Sequence, residues 1–193
     1  MTKSRLEAFS DGVIAIIITI MVLELHAPHG TGLESLRPLL PAFLSYLLSF
    51  VYIGIFWNNH HHMLHAVRRV SGWGLWANLH LLFWISLLPF ATAWAGERPG
   101  ESWPTAAYGF VLLMSSLAYP LLEYALIAYE GSDSLLSTAV GARRKELLSC
   151  AGYALAIALA FAEPWLSYAL YVCVAALWFV PDRRIEQALR GAG

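Results

Sequence analysis

The stretch Glu7–Leu25 reads EAFSDGVIAIIITIMVLEL, and after Asp11 it carries no charge until Glu24. Its apolar residues are continuous and do not alternate with period two, so it predicts a membrane-spanning helix and not a barrel strand. The rest of the chain has the same character. Of 193 residues, 59% are hydrophobic and 13% are charged, and the mean hydropathy is +0.59, well above a water-soluble domain of this size. Apolar runs recur along the whole chain and not only at its start, which argues against a cleaved signal peptide. They predict six helices, over roughly 7–25, 38–64, 73–95, 105–129, 146–163 and 165–181. The fold class expected is an all-α integral membrane protein, with residues 1–193 forming a single six-helix transmembrane domain.

Charge placement orients these helices. The formal net charge is −1, so no global basic character suggests nucleic acid. If six helices alternate, Lys3, Arg5, Arg68, Arg69, Arg143, Arg144, Lys145, Arg183, Arg184 and Arg190 fall on one side, and Arg37 and Arg98 on the other. The positive-inside rule then predicts a multi-pass protein of the cell membrane with cytoplasmic N- and C-termini. Trp73, Trp76, Trp94, Trp103 and Trp165 sit near predicted span ends, where an amphipathic ring anchors at headgroup level. Cys150 and Cys173 read as small apolar core residues, without disulfide or zinc spacing.

At about 100° per residue, Phe9, Gly12, Ile16, Thr19, Ile20 and Leu23 fall on one stripe of the first helix, and Asp11 points away from it. An uncharged stripe of this kind serves equally to pack against neighbouring helices. If copies of the helix surround an axis, the same residues become stacked rings: a constriction at Ile16, Ile20 and Leu23, with hydroxyls at Thr19. Asp11 lies within the first turns of a membrane helix and needs a partner. Candidates are Arg5 and, at similar depth, His60 or His61 of the second helix, with Ser10 bonding to backbone or to a neighbouring helix.

Three sequence segments carry a family likeness. R-x-x-x-F-S-D, formed by Arg5, Phe9, Ser10 and Asp11, precedes AIIITIMVLEL and resembles the first helix of prokaryotic transmembrane protein 175-type potassium channels. WNNHHHML (Trp57–Leu64) and NLHLLFWISLLPF (Asn78–Phe90) resemble further segments of that family. The resemblance implies a homotetramer of six-helix subunits without a T-V-G-Y-G filter, and that string is absent from the sequence. It further implies that Ile16, Ile20 and Leu23 form a hydrophobic constriction and that Thr19 supplies the layer connected with cation selectivity. Phe9, Ser10 and Asp11 would lock helices together, with Arg5 and His60 or His61 in the same network. The implied function is a modestly selective, potassium-permeable cation channel, not an enzyme. Potassium would be the permeant species near Thr19, with no tightly bound metal and no cofactor; the partners are the lipid bilayer, monovalent cations and further copies of the chain.

Four other readings stand beside it. The acids Glu24, Glu34, Glu97 and Glu101 would concentrate cations at an outer mouth or stand as solvated loop charges. Glu123 lies inside the fourth span, as a functional acid or a hydrogen-bonded packing residue. His60, His61, His62 and His65, with His80 as an extra ligand, are the material for a membrane metalloprotein, because His61 and His65 share a helix face. No H-E-x-x-H, C-x-x-C or G-x-S-x-G accompanies them. A proton channel or small-solute transporter is the other alternative; the titrating histidines suit the former, while the first helix lacks the mid-membrane break usual in the latter.

Overall fold

In a computed structural model of the chain, residues 2–131 and 144–179 are described. Among them every regular element is helical. Helix α1 (Lys3–Leu23) is followed by a short 3-10 segment (Leu33–Leu39) that leads into α2 (Leu40–His65). Then come α3 (Gly72–Ser86), α4 (Leu88–Glu97), α5 (Ser102–Glu130), α6 (Arg144–Leu159) and α7 (Pro164–Phe179). The chain is an all-α integral membrane protein, and α1, α2, α3 with α4, and α5 are each long and apolar enough to cross a bilayer. Helices α6 and α7 are shorter, at 16 residues each.

The stretch read as one span over 73–95 is two helices meeting at Leu87. Pro89 is the cause, since it has no N–H to give to the carbonyl of Ile85 and its ring crowds the preceding turn. Side chains take up carbonyls around the break: Ser86 Oγ donates to Phe83 O at 2.7 Å and Thr92 Oγ1 to Leu88 O at 2.6 Å. Ser71 caps α3, its Oγ accepting the Gly74 N–H at 3.0 Å.

Helix α5 runs through the bundle against α3, α4, α6 and α7, while α1 packs on α2, α3 and α4. Tyr52, Tyr108 and Tyr171 fill the centre and are buried. Their hydroxyls are satisfied internally, as hydrocarbon surroundings require. Tyr52 Oη donates to Tyr171 O at 2.6 Å, Tyr171 Oη donates to Thr105 O at 3.0 Å, and Tyr108 Oη pairs with Ser49 Oγ at 2.9 Å. Trp73, Trp76, Trp103 and Trp165 are exposed near helix ends, positions suited to an aromatic belt.

Lys3, Arg68 and Arg69 meet at one end of the bundle, while Arg143, Arg183, Arg184 and Arg190 lie outside the described residues. Lys3 Nζ donates to His65 O at 3.2 Å, so the start of α1 meets the end of α2. The backbone N–H groups of Arg68 and Arg69 both donate to Glu130 Oε1, which brings the end of α5 to the same place.

Candidate functional site

Helix α1 has two apolar faces with different fates. Leu6, Ser10, Ile14, Ile17 and Met21 are buried against the subunit's own helices. Phe9, Ile16, Ile20 and Leu23 remain 47%, 58%, 42% and 78% exposed, and Gly12 and Thr19 between them are exposed too. The stripe anticipated from spacing is therefore the face that the subunit leaves uncovered. Gly12 has nothing within 4 Å of where a Cβ would sit. Beside the stripe runs a groove lined by Ile16, Ile20, Ser86, Phe90 and Ala93.

Thr19 turns its hydroxyl proton inward, to its own helix. Its Oγ1 donates to Ile16 O at 2.8 Å, so the hydroxyl proton is spent on the helix and the oxygen lone pairs are left outward. An oxygen in that state accepts a positive charge with no competing hydrogen.

The other side of α1 is tied down by polar contacts. Trp57 Nε1 donates to Asp11 Oδ1 at 2.9 Å. Ser10 Oγ donates to Leu6 O at 2.9 Å, so it can only accept from Asn78 Nδ2, 3.0 Å away. That fixes the amide orientation and presents Asn78 Oδ1 to His60 Nε2 at 2.7 Å, making His60 the donor. A one-way series of donors thus runs from α2 through α3 to a backbone carbonyl of α1. Ser10, His60 and Asn78 are all buried, and each is satisfied.

The expected residues are consequently divided between two contacts. His60 serves Ser10 by way of Asn78, whereas His61 turns to α1, with Nδ1 3.5 Å from Glu7 Oε1. Neither bonds Asp11 in the chain; Trp57 does. Arg5 is exposed and makes no ion pair among the described residues. Asn78 and Trp57 were absent from the sequence reading as partners. A lone Asn inside an apolar span was the available signal for the first.

The histidines do not assemble as a four-histidine centre. His60 faces Asn78, and His80 Nε2 accepts from Trp84 Nε1 at 3.0 Å on α3. His61 and His65 share a face, with ring centroids 4.8 Å apart. Glu24, Glu34, Glu97 and Glu101 are exposed at the end of the bundle where α1 terminates, and Glu123 is buried in α5.

The family described as Endosomal/lysosomal potassium channel TMEM175 matches residues 5–89, which contain the uncovered face, the donor series and the histidines. A protein of Chryseobacterium sp. (strain P1-3) named as a potassium channel is 53% identical over 190 residues, covering 98% of this chain and 99% of that protein. The chain belongs to the TMEM175 family. Within it, the crystal structure of a lysosomal potassium-selective channel TMEM175 homolog from Chamaesiphon minutus superposes with a TM-score of 0.77 at 29% identity. That match covers 93% of this chain and 97% of the homolog. The Gallus gallus TMEM175, named as an endosomal/lysosomal proton channel, is 36% identical over 115 residues, which is 53% of this chain and 23% of that longer protein.

Proposed function

We propose that this TMEM175 family member is a potassium-permeable, modestly selective cation channel in which α1 of each of four subunits lines the pore. The observation that carries the reading is the two-faced α1: one face is buried and pinned by the Ser10 and Asp11 contacts, and the opposite face is left uncovered with Thr19 among Ile16, Ile20 and Leu23. The names of the bacterial relatives support the same ion. Four such faces around an axis place Ile16, Ile20 and Leu23 in rings, and the groove beside α1 receives the edge of a neighbouring subunit. Arg5 then reaches across that boundary, and the basic end of the bundle lies in the cytoplasm.

A bare potassium ion inside an isoleucine ring would lose hydration with nothing in exchange, an idealised cost of up to tens of kcal/mol. The closed rings are therefore a gate, and conduction needs them to widen until the ion keeps its water. Thr19 oxygens replace part of that shell. With few fixed oxygen ligands, selectivity is modest. Permeation of this kind needs no cofactor and no bond-breaking chemistry.

Potassium flux from liposomes reconstituted with purified protein tests the reading, run beside sodium and beside Leu23→Ser. Faster efflux in potassium, raised further by the variant, supports it; equal leak with and without Leu23→Ser removes α1 from the pore. The animal relatives named as proton channels give one observation for a second reading, proton conduction. A pH-sensitive dye trapped in the same liposomes separates the two ions.

A further inference from the structure

At the foot of α1, Glu7 meets His61 and His65 of α2. Glu7, His61 and His65 each offer one ligand atom, and the three atoms lie within 4.8 Å of one another. His61 and His65 stand one turn apart near the end of α2, and Glu7 comes from the facing helix. Zinc-class ions bind imidazole nitrogen and carboxylate oxygen at roughly 2.0–2.2 Å, so tetrahedral ligands sit about 3.4 Å apart. The Glu7–His61 separation of 3.5 Å already matches. Bringing His65 into the same set takes a small side-chain rotation in an exposed residue.

The surroundings favour a built site. The His61 ring is held by stacking on Trp57, with centroids 5.8 Å apart and planes at 25°, and Trp57 is itself bonded to Asp11. The His61 and Glu7 side chains are 37% and 22% exposed, so an ion can arrive from water. Asp11 adds negative charge one helical turn along α1, while Lys3, donating to His65 O, opposes a cation and keeps affinity moderate. Two nitrogens and one oxygen select zinc-class ions over magnesium or calcium, which prefer all-oxygen sets.

We propose that Glu7, His61 and His65 form an exchangeable site for a zinc-class divalent ion that clamps the foot of α1 to the end of α2. Because these groups lie on two different helices, the bound ion resists any movement of α1 relative to α2. Resting on the pore reading of α1, the consequence is that the ion holds the channel in its closed arrangement.

The test is calorimetric titration of zinc into tag-free, detergent-purified full-length protein, beside Glu7→Gln and His61→Ala/His65→Ala. One zinc per chain in the micromolar range, weakened at least tenfold in both variants, is the expected result. Zinc should also raise the melting temperature of the wild type and leave that of Glu7→Gln unchanged. Glu7→Gln keeps shape and so guards against loss through misfolding. No saturable binding, or equal affinity in the wild type and the double variant, overturns the site and leaves a simple Glu7–His61 contact. Liposome flux with and without zinc is read separately. Zinc should slow potassium efflux through the wild type and not through Glu7→Gln; zinc that binds the wild type yet leaves its flux unchanged defeats the clamp alone, and binding kept without any flux in either condition defeats only the pore reading.

Discussion

Trp57 Nε1 donates to Asp11 Oδ1 at 2.9 Å, across 46 residues of sequence, and so joins the first turns of α1 to α2. A carboxylate near the end of a membrane helix is costly without a partner, and the indole supplies one without adding charge. Trp57→Phe keeps an aromatic ring over His61 and deletes the donor. The expected loss is about 1–2 kcal/mol, at the low end for a charged hydrogen bond because the pair is partly exposed. It would be read as a lower melting temperature and a smaller assembled fraction on size-exclusion chromatography. If Trp57→Phe were silent and Arg5→Ala destabilising, Asp11 would be held by Arg5 of a neighbouring subunit instead.

Asn78 stands between His60 and Ser10, accepting from one and donating to the other. Replacing it by Ala leaves His60 without its acceptor in a buried position, and Ser10 without one of its two bonds. The expected cost is roughly 2–4 kcal/mol, because each orphaned group suffers the full desolvation penalty. Ser10→Ala should cost less, about 1 kcal/mol, since it strands only one Asn78 N–H. Thermal unfolding in detergent ranks the two. Equal melting temperatures for Asn78→Ala and wild type would mean that water fills the gap.

Most helix positions were legible because an apolar run long enough to span a bilayer has few alternatives. The break at Leu87 was not, since Pro89 lies within the run ISLLPFATAW and hydropathy passes smoothly over it. On α1 both faces are apolar, yet the spacing of Phe9, Gly12, Ile16, Thr19, Ile20 and Leu23 still marked the side left uncovered. Which histidine does what was not legible. Neighbouring rings in the His60–His62 run point about 100° apart, so the answer depends on which helix faces each, and Asn78 and Glu7 decide it. The Trp57 and Asn78 contacts span 46 and 68 residues, and no local pattern encodes such a pairing.

Gly109 illustrates a close approach that only packing reveals. A Cβ there would overlap the Tyr171 hydroxyl, the group that donates to Thr105 O. Gly109→Ala should therefore displace Tyr171 and break that bond, at about 2–4 kcal/mol from overpacking plus one lost hydrogen bond. Tyr171→Phe removes the atom in closest conflict while keeping the backbone carbonyl that receives Tyr52 Oη. The double variant should recover part of the folded yield that Gly109→Ala loses. A double variant no better than the single would place the damage in the ring itself or in Ile157, which the added methyl also approaches.

Thr19 gives the sharpest test of how ions are discriminated. Its proton is held by Ile16 O, so the exposed oxygen acts as an acceptor. Thr19→Ser preserves both the donor to Ile16 O and the outward lone pairs, whereas Thr19→Val preserves shape and removes the oxygen. Losing a ring of hydroxyl ligands worth roughly 1 kcal/mol in ion preference corresponds to about a fivefold change in permeability ratio. Under bi-ionic potassium and sodium, the reversal potential of Thr19→Val should move toward zero while that of Thr19→Ser stays near wild type. A Thr19→Val channel that kept the wild-type reversal potential would shift discrimination away from the hydroxyl layer, to the acids Glu24 and Glu97 exposed at the end of the bundle where α1 terminates. Neutralising Glu24 with Gln would then change the ratio, and on the Thr19 reading it should alter conductance alone.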